Sequence, residues 1–176
     1  MKFGRYLLMA TLLLPLQVLA QESSPSANPE DVKTLDSMVE TLYSVISGDK
    51  GAARDWDRFL SLFKPGAQLI PSGPNAENQI GTLYMTPQQY VERSGPWLEE
   101  NGFFEIEISR EELHFGTMTH IWSTYESRRK ADDPQPFARG INSIQLINDG
   151  DRWWIVNIYW TAEREGLTIP AEFLPD

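Results

Sequence analysis

The apolar residues change their spacing at Gly102, and that change limits the chain to very few architectures. Before it, Val32, Leu35, Val39, Leu42 and Ile46 recur at three- and four-residue steps, the period of one helix face. After it, "FFEIEIS" alternates, and "TMTHIWSTYESRRK", "FARGINSIQLI" and "RWWIVNIYWTAE" follow as long strand-like segments. Their turns are "FG", "ADDPQP" and "NDGD". Helices gathered in the first half and a four-stranded antiparallel meander in the second predict an α+β fold.

The first half has its own punctuation. Asn28 caps a first helix with Pro29 at its first position, and "SGDKG" ends it. A second helix over "RDWDRFLSLF" puts Trp56, Phe59, Leu60 and Phe63 on one face, and Pro65-Gly66 stops it. "AQLI" reads as a short strand, and residues 71–81 as a loop rich in Pro, Gly and Asn. Thr86-Pro87-Gln88-Gln89 opens a third helix with a capping box. Tyr90, Val91, Trp97 and Leu98 give it an apolar side, and Gly95-Pro96 is expected to kink it or end it early.

The N-terminus reads as an export signal. Lys2 and Arg5 precede an apolar run from Tyr6 to Leu16, and Val18-Leu19-Ala20 suits a cleavage site. The run is shorter than the ~20 residues a membrane span needs. The expected organisation is a signal peptide over 1–20, a linker over 21–28, a folded domain over 29–165 and a C-terminal tail over 166–176, in a protein that is periplasmic or secreted. There is no cysteine, so stability in an oxidising compartment rests on the core alone. Loss of the first twenty residues removes Lys2 and Arg5 and no acid, which takes the formal charge from −10 to −12. Such a chain is a poor partner for nucleic acid or anionic membranes. With two histidines and no cysteine, no metal site or other cofactor is expected.

"RDWDRFLSLFKPGAQLI", "GFFEIEISREELHFGTMTHIWSTYESR" and "FARGINSIQLINDGDRWWIVNIYW", with the helix between them, resemble the nuclear transport factor 2-like superfamily, and within it the SnoaL-like bacterial proteins. The resemblance covers residues 30 to 165. It implies a cone, in which a curved antiparallel sheet wraps helices around a pocket. It also implies a homodimer through the convex side of the sheet. The resemblance transfers no catalytic residue, because the superfamily's activities are too varied for fold to choose among them.

The hairpin turns then assign sides. A two-residue turn at Asp149-Gly150 sets Leu146, Ile144, Asn142 and Gly140 opposite Trp153, Ile155, Asn157 and Tyr159 on one face. The other face pairs Gln145, Ser143, Ile141 and Arg139 with Trp154, Val156, Ile158 and Trp160. A turn at Phe115-Gly116 groups Phe104, Ile106, Ile108, Ile121, Ser123 and Tyr125 toward the helices, with Glu105, Glu107, His120 and Trp122 outward. A β-bulge would swap the sides beyond it. On this register the pocket candidates are Ser123, Tyr125, Asn142, Asn157 and Tyr159, joined from the helix side by Tyr84 and Tyr90. The outer-face interface candidates are Trp122, Arg139, Trp154, Ile158 and Trp160, with Arg139 placed to stack on Trp160.

Other polar residues have plainer readings. Asp55 and Asp57 suit a helix N-terminus, and His120 opposite Glu111 suits a surface pair. "ESRRK" suits a solvated strand end. No nucleophile motif or phosphate loop is present. Three functions stay open. One is binding of a small, largely apolar molecule in the cone. Another is a cofactor-independent isomerase, dehydratase or cyclase. The third is protein interaction through the tryptophan-rich outer face.

Overall fold

The computed structural model describes residues 25–175. The expected signal peptide and the first residues of the linker lie outside them. The elements are helices α1 (Pro29–Val32), α2 (Leu35–Ile46) and α3 (Trp56–Leu60), strands β1 (Phe63–Pro74) and β2 (Ile80–Thr82), helix α4 (Pro87–Asn101), and strands β3 (Phe104–Phe115), β4 (Met118–Arg128), β5 (Ala138–Asn148) and β6 (Trp153–Ala162). A 3-10 turn over Ala171–Phe173 follows.

Several boundaries differ from the sequence expectation for local reasons. The first helix is broken at Thr34, whose hydroxyl accepts from Ser37 N at 3.0 Å and so starts α2 with its own capping box. Helix α3 is only five residues long, and Phe63 through Pro74 form one long strand, with Pro65 and Gly66 in an irregular stretch of it. Helix α4 runs through Pro96. The carbonyl left without its helical N–H is that of Glu92, an exposed residue within reach of solvent. Gly95 serves packing rather than breaking: a Cβ there would lie 3.1 Å from the Trp56 ring.

The sheet order is β2-β1-β6-β5-β4-β3, antiparallel throughout except for the β1–β6 pair. Met38, Val39, Leu42 and Ile46 of α2, with Phe59 and Leu98, pack on Ile121, Ile144, Leu146 and Ile155 of the sheet. Arg54 ties the helices together. Its Nε donates to Ile46 O at 3.0 Å and its Nη2 to Gly48 O at 2.6 Å and Leu98 O at 3.3 Å. The guanidinium thereby satisfies carbonyls at the end of α2 and within the last turn of α4.

Two bulges fix the side-chain directions. In the β5–β6 hairpin the turn takes four residues, because the Asp149 carboxylate accepts from the N–H groups of Asp151 and Arg152. That lengthening preserves the sides. Val156 is then extra: Leu146 pairs with Ile155 but Gln145 pairs with Asn157. In the β3–β4 hairpin the turn centres on Gly116-Thr117, again preserving the sides, and Ile108 is extra between Glu107, opposite Tyr125, and Ser109, opposite Thr124. Beyond each bulge one strand presents its other set of side chains.

The outer face carries Leu113, Phe115, Met118, Val156 and Tyr159, all exposed. The end of the chain crosses this face: Thr124 donates to Phe173 O at 2.7 Å, and the Phe173 ring lies 5.9 Å from that of Trp122.

Candidate functional site

The cavity lies between α2, α4 and the inner face of the sheet and has a volume of about 290 Å3. Its wall is mostly apolar and rich in aromatic rings. Phe59 stacks on Tyr90 at 5.5 Å, and Tyr90 meets Trp160 edge-on at 6.3 Å. Trp97 and Phe137, both about half exposed, line it near its mouth. Arg129 stacks on these two rings at 4.4 and 4.2 Å without itself lining the cavity.

The polar end is made by the bulge at Ile108. It turns Glu105 and Glu107 inward and leaves Ile106 about half exposed on the other side, the reverse of the sequence expectation. The reversal breaks the usual rule that the apolar half of an alternating strand is buried, and such local conflicts concentrate at functional sites. Glu105 lines the cavity and accepts from Ser127 Oγ at 2.8 Å. Burial pushes its carboxyl up to about 7, partly offset by hydrogen bonds from Ser127 and Asn142. Tyr43, Tyr90 and Tyr125 have their phenols raised by burial and, next, by the nearby Glu105 carboxylate. A carboxyl near 7 among three phenols that stay protonated is the titratable group of this cavity.

Behind Glu105 a hydrogen-bonded chain runs out to the edge strand. Asn142 Nδ2 donates to Tyr43 Oη at 3.0 Å, Tyr43 Oη lies 2.7 Å from Ser123 Oγ, and Ser123 donates to Glu107. Glu107 is forked onto Arg110, with Nη2 at 2.6 Å. Gly140 lies opposite Tyr125 because only hydrogen fits there: a Cβ would run into the Tyr125 hydroxyl and the Thr161 carbonyl.

Of the residues expected in the pocket, Tyr90, Tyr125 and Asn142 line the cavity, and Ser123 is fully buried in the chain behind it. Tyr84 is 64% exposed and lies outside the lining. Asn157 and Tyr159 fall on the outer face because of the Val156 bulge. Asn157 there donates to Gln145 at 3.3 Å instead of facing Asn142, and Tyr159 reaches Ser72 at 3.3 Å. The same bulge corrects two of the expected interface residues: Ile158 and Trp160 line the cavity. Trp122, Arg139 and Trp154 stay on the outer face, but Arg139 pairs with Glu163 at 2.8 Å rather than stacking on Trp160. Trp154 has Arg152 over its ring at 3.6 Å and Lys64 at 4.9 Å. Asp55 caps α3, accepting from Arg58 N at 2.9 Å, and His120 bonds Ser143 at 2.9 Å rather than Glu111. Glu105 and Ser127 are the residues that sequence reasoning missed. The signal for Glu105 was a pair of glutamates alternating in a strand with no other reason to be acidic.

No family model matches the chain, and no curated protein matches it by sequence. Solved structures do. A protein of unknown function with a cystatin-like fold from Nostoc punctiforme is 8% identical, covers 73% of this chain and 88% of its own, and superposes with a TM-score of 0.55. LinA is 12% identical, covers 77% of this chain and 92% of its own, with a TM-score of 0.53. A nuclear transport factor 2-like protein of unknown function from Silicibacter pomeroyi is 15% identical, covers 74% of this chain and 94% of its own, with a TM-score of 0.50. Identities this low carry fold and nothing finer. The chain has the fold of the nuclear transport factor 2-like superfamily.

Proposed function

We propose that this chain is an exported small-molecule-binding protein, and that its cavity takes a small, largely apolar molecule whose one polar group is anchored at Glu105 and Asn142. The observation that supports this most is the cavity itself: about 290 Å3, aromatic along its length and polar at one end. That is the composition of a ligand site, an apolar wall with a few convergent polar groups, and its size is at the lower edge of the ~300–1,000 Å3 common for such sites. Export rests on the N-terminal sequence pattern. Native mass spectrometry of the protein purified gently from its own host tests the reading. The expected result is a small molecule bound one per chain and absent from an Ala138→Trp variant, which fills the cavity. An adduct equally present on the blocked variant, or a wild type that takes up no apolar molecule at all, refutes it.

A specific observation favours a second reading, a cofactor-independent isomerase or dehydratase. The Glu105 carboxyl, raised to about 7, is suited to accept or donate a proton near neutral pH. The two readings share the cavity and differ in whether the bound molecule is changed. The outer face supports a homodimer as its partner arrangement, since Leu113, Phe115 and Met118 are each more than half exposed there, next to Val156.

A further inference from the structure

The inner end of the cavity has a hydrogen-bond polarity, and the chain of bonds behind it dictates that polarity. The Glu107 carboxylate, paired with Arg110, only accepts, so Ser123 donates to it. With its one proton committed, Ser123 accepts from Tyr43, and the Tyr43 oxygen accepts from Asn142. Only the amide nitrogen of Asn142 donates. This fixes the amide with Nδ2 toward Tyr43, and its second hydrogen goes to Glu105. Ser127 also donates to Glu105. The donors of Ser127 and Asn142 are therefore spent inside the protein. Acceptor capacity remains on Asn142 Oδ1 and on the Glu105 carboxyl, beside the protonated hydroxyls of Tyr90 and Tyr125. No Lys, Arg or His lines the cavity among the described residues. The rings of Tyr90, Tyr125 and Trp160 add the negative faces that attract a cation.

We propose that the molecule bound in the cavity is a small organic amine: its ammonium group sits at Glu105 and Asn142 Oδ1, and its apolar body lies against Tyr90, Tyr125 and Trp160. The inference rests on the small-molecule reading above and names its ligand class. An ammonium neutralises the one acid that lines the cavity, which has no cationic side chain in its lining. A carboxylate would set a second negative charge beside Glu105, and a ketone would leave the Glu105 charge without a counter-ion in the cavity lining.

The amine also predicts a pH dependence. The titratable and charged groups around Glu105 are Tyr43, Asp36 and Glu40 from α2, Tyr90 from α4, Tyr125 from β4, and Glu107 and Arg110 farther along β3, where Arg110 is paired with Glu107 and Asp36. The phenols stay protonated through neutral pH, so Glu105 is the group that changes. Its ionised form binds the ammonium, and affinity therefore rises from pH 6 to pH 8.

Isothermal titration calorimetry on the whole chain with 4-phenylbutylamine and its neutral counterpart 4-phenylbutan-1-ol tests this. At pH 8 the amine is expected to bind at least about tenfold more tightly, the gain of one charge-assisted contact. The preference shrinks at pH 6 and disappears in Glu105→Gln, whose circular dichroism shows an intact fold, and a preference that survives in Glu105→Gln overturns the inference. Equal binding of the two probes by the wild type, or tighter binding of the alcohol, overturns the amine inference and leaves the small-molecule reading standing. Binding of neither probe at millimolar concentration overturns both.

Discussion

Replacing Glu105 by glutamine should change how the stability of the fold depends on pH. In the unfolded chain this carboxyl ionises near 4.5, and in the folded chain near 7. Between those values the unfolded state has already released its proton while the folded state keeps it. Stability therefore falls as pH rises through this window and levels off above 7. A gap of this size is worth about 3 kcal/mol. Glutamine cannot ionise, and its amide oxygen still accepts from Ser127, so the variant lacks this slope. Urea unfolding of both proteins at pH 5 and pH 8.5 measures it. The stability of Glu105→Gln minus that of the wild type should be more positive at pH 8.5 than at pH 5 by roughly 2.5 kcal/mol. Any constant cost of the swap, such as a poorer bond to Asn142, cancels in the comparison. A difference that does not move with pH would place the carboxyl in water and refute the inward register of β3.

Gly140→Ala puts a methyl group into the Tyr125 hydroxyl and the Thr161 carbonyl, and should cost about 1–3 kcal/mol by denaturant unfolding. Arg54→Met leaves the carbonyls of Ile46, Gly48 and Leu98 without their donor and should lower stability by about 2–4 kcal/mol in the same assay. Asp31 is forked onto Arg58 at 2.7 and 2.8 Å, a bond that holds its carboxyl below the usual range. Its stabilisation is present above the unfolded value of 3.8 and is lost as pH falls through the lower folded value. Asp31→Asn should thus be less stable than the wild type at pH 7, with the gap closing in strong acid. Phe115→Asp with Met118→Asp should shift a dimer toward monomer in light scattering while the melting temperature of the monomer stays unchanged.

The class of the fold was legible because two periodicities meet at Gly102, and neither depends on distant contacts. Caps were legible for the same reason: Asn28, Thr86 and Asp55 each accept from a backbone N–H at the start of a helix. The cavity was legible only as far as the bulges allowed. Tyr125, Ser123 and Asn142 lie on strands whose facing the bulges leave unchanged, and they came out on the inner side. Asn157, Tyr159, Ile158 and Trp160 lie past Val156, and Glu105 lies past Ile108, so their sides came out reversed. One unpaired residue leaves no mark in an alternating pattern, because "FEIEI" alternates equally well with its glutamates in or out. The clue was electrostatic. With Glu105 enclosed, Ser127 and Asn142 have an acceptor, and the apolar Ile106 is left on the exposed side.

Both functional readings and the amine inference depend on one fact, that the Glu105 carboxyl is enclosed in the cone. Carbon-13 NMR of the side-chain carboxyls, with Glu105 assigned by its loss in Glu105→Gln, measures this directly. The expected Glu105 resonance titrates at about 7 and moves when 4-phenylbutylamine is added. A Glu105 resonance that titrates near 4.5 and ignores the amine would contradict that enclosure.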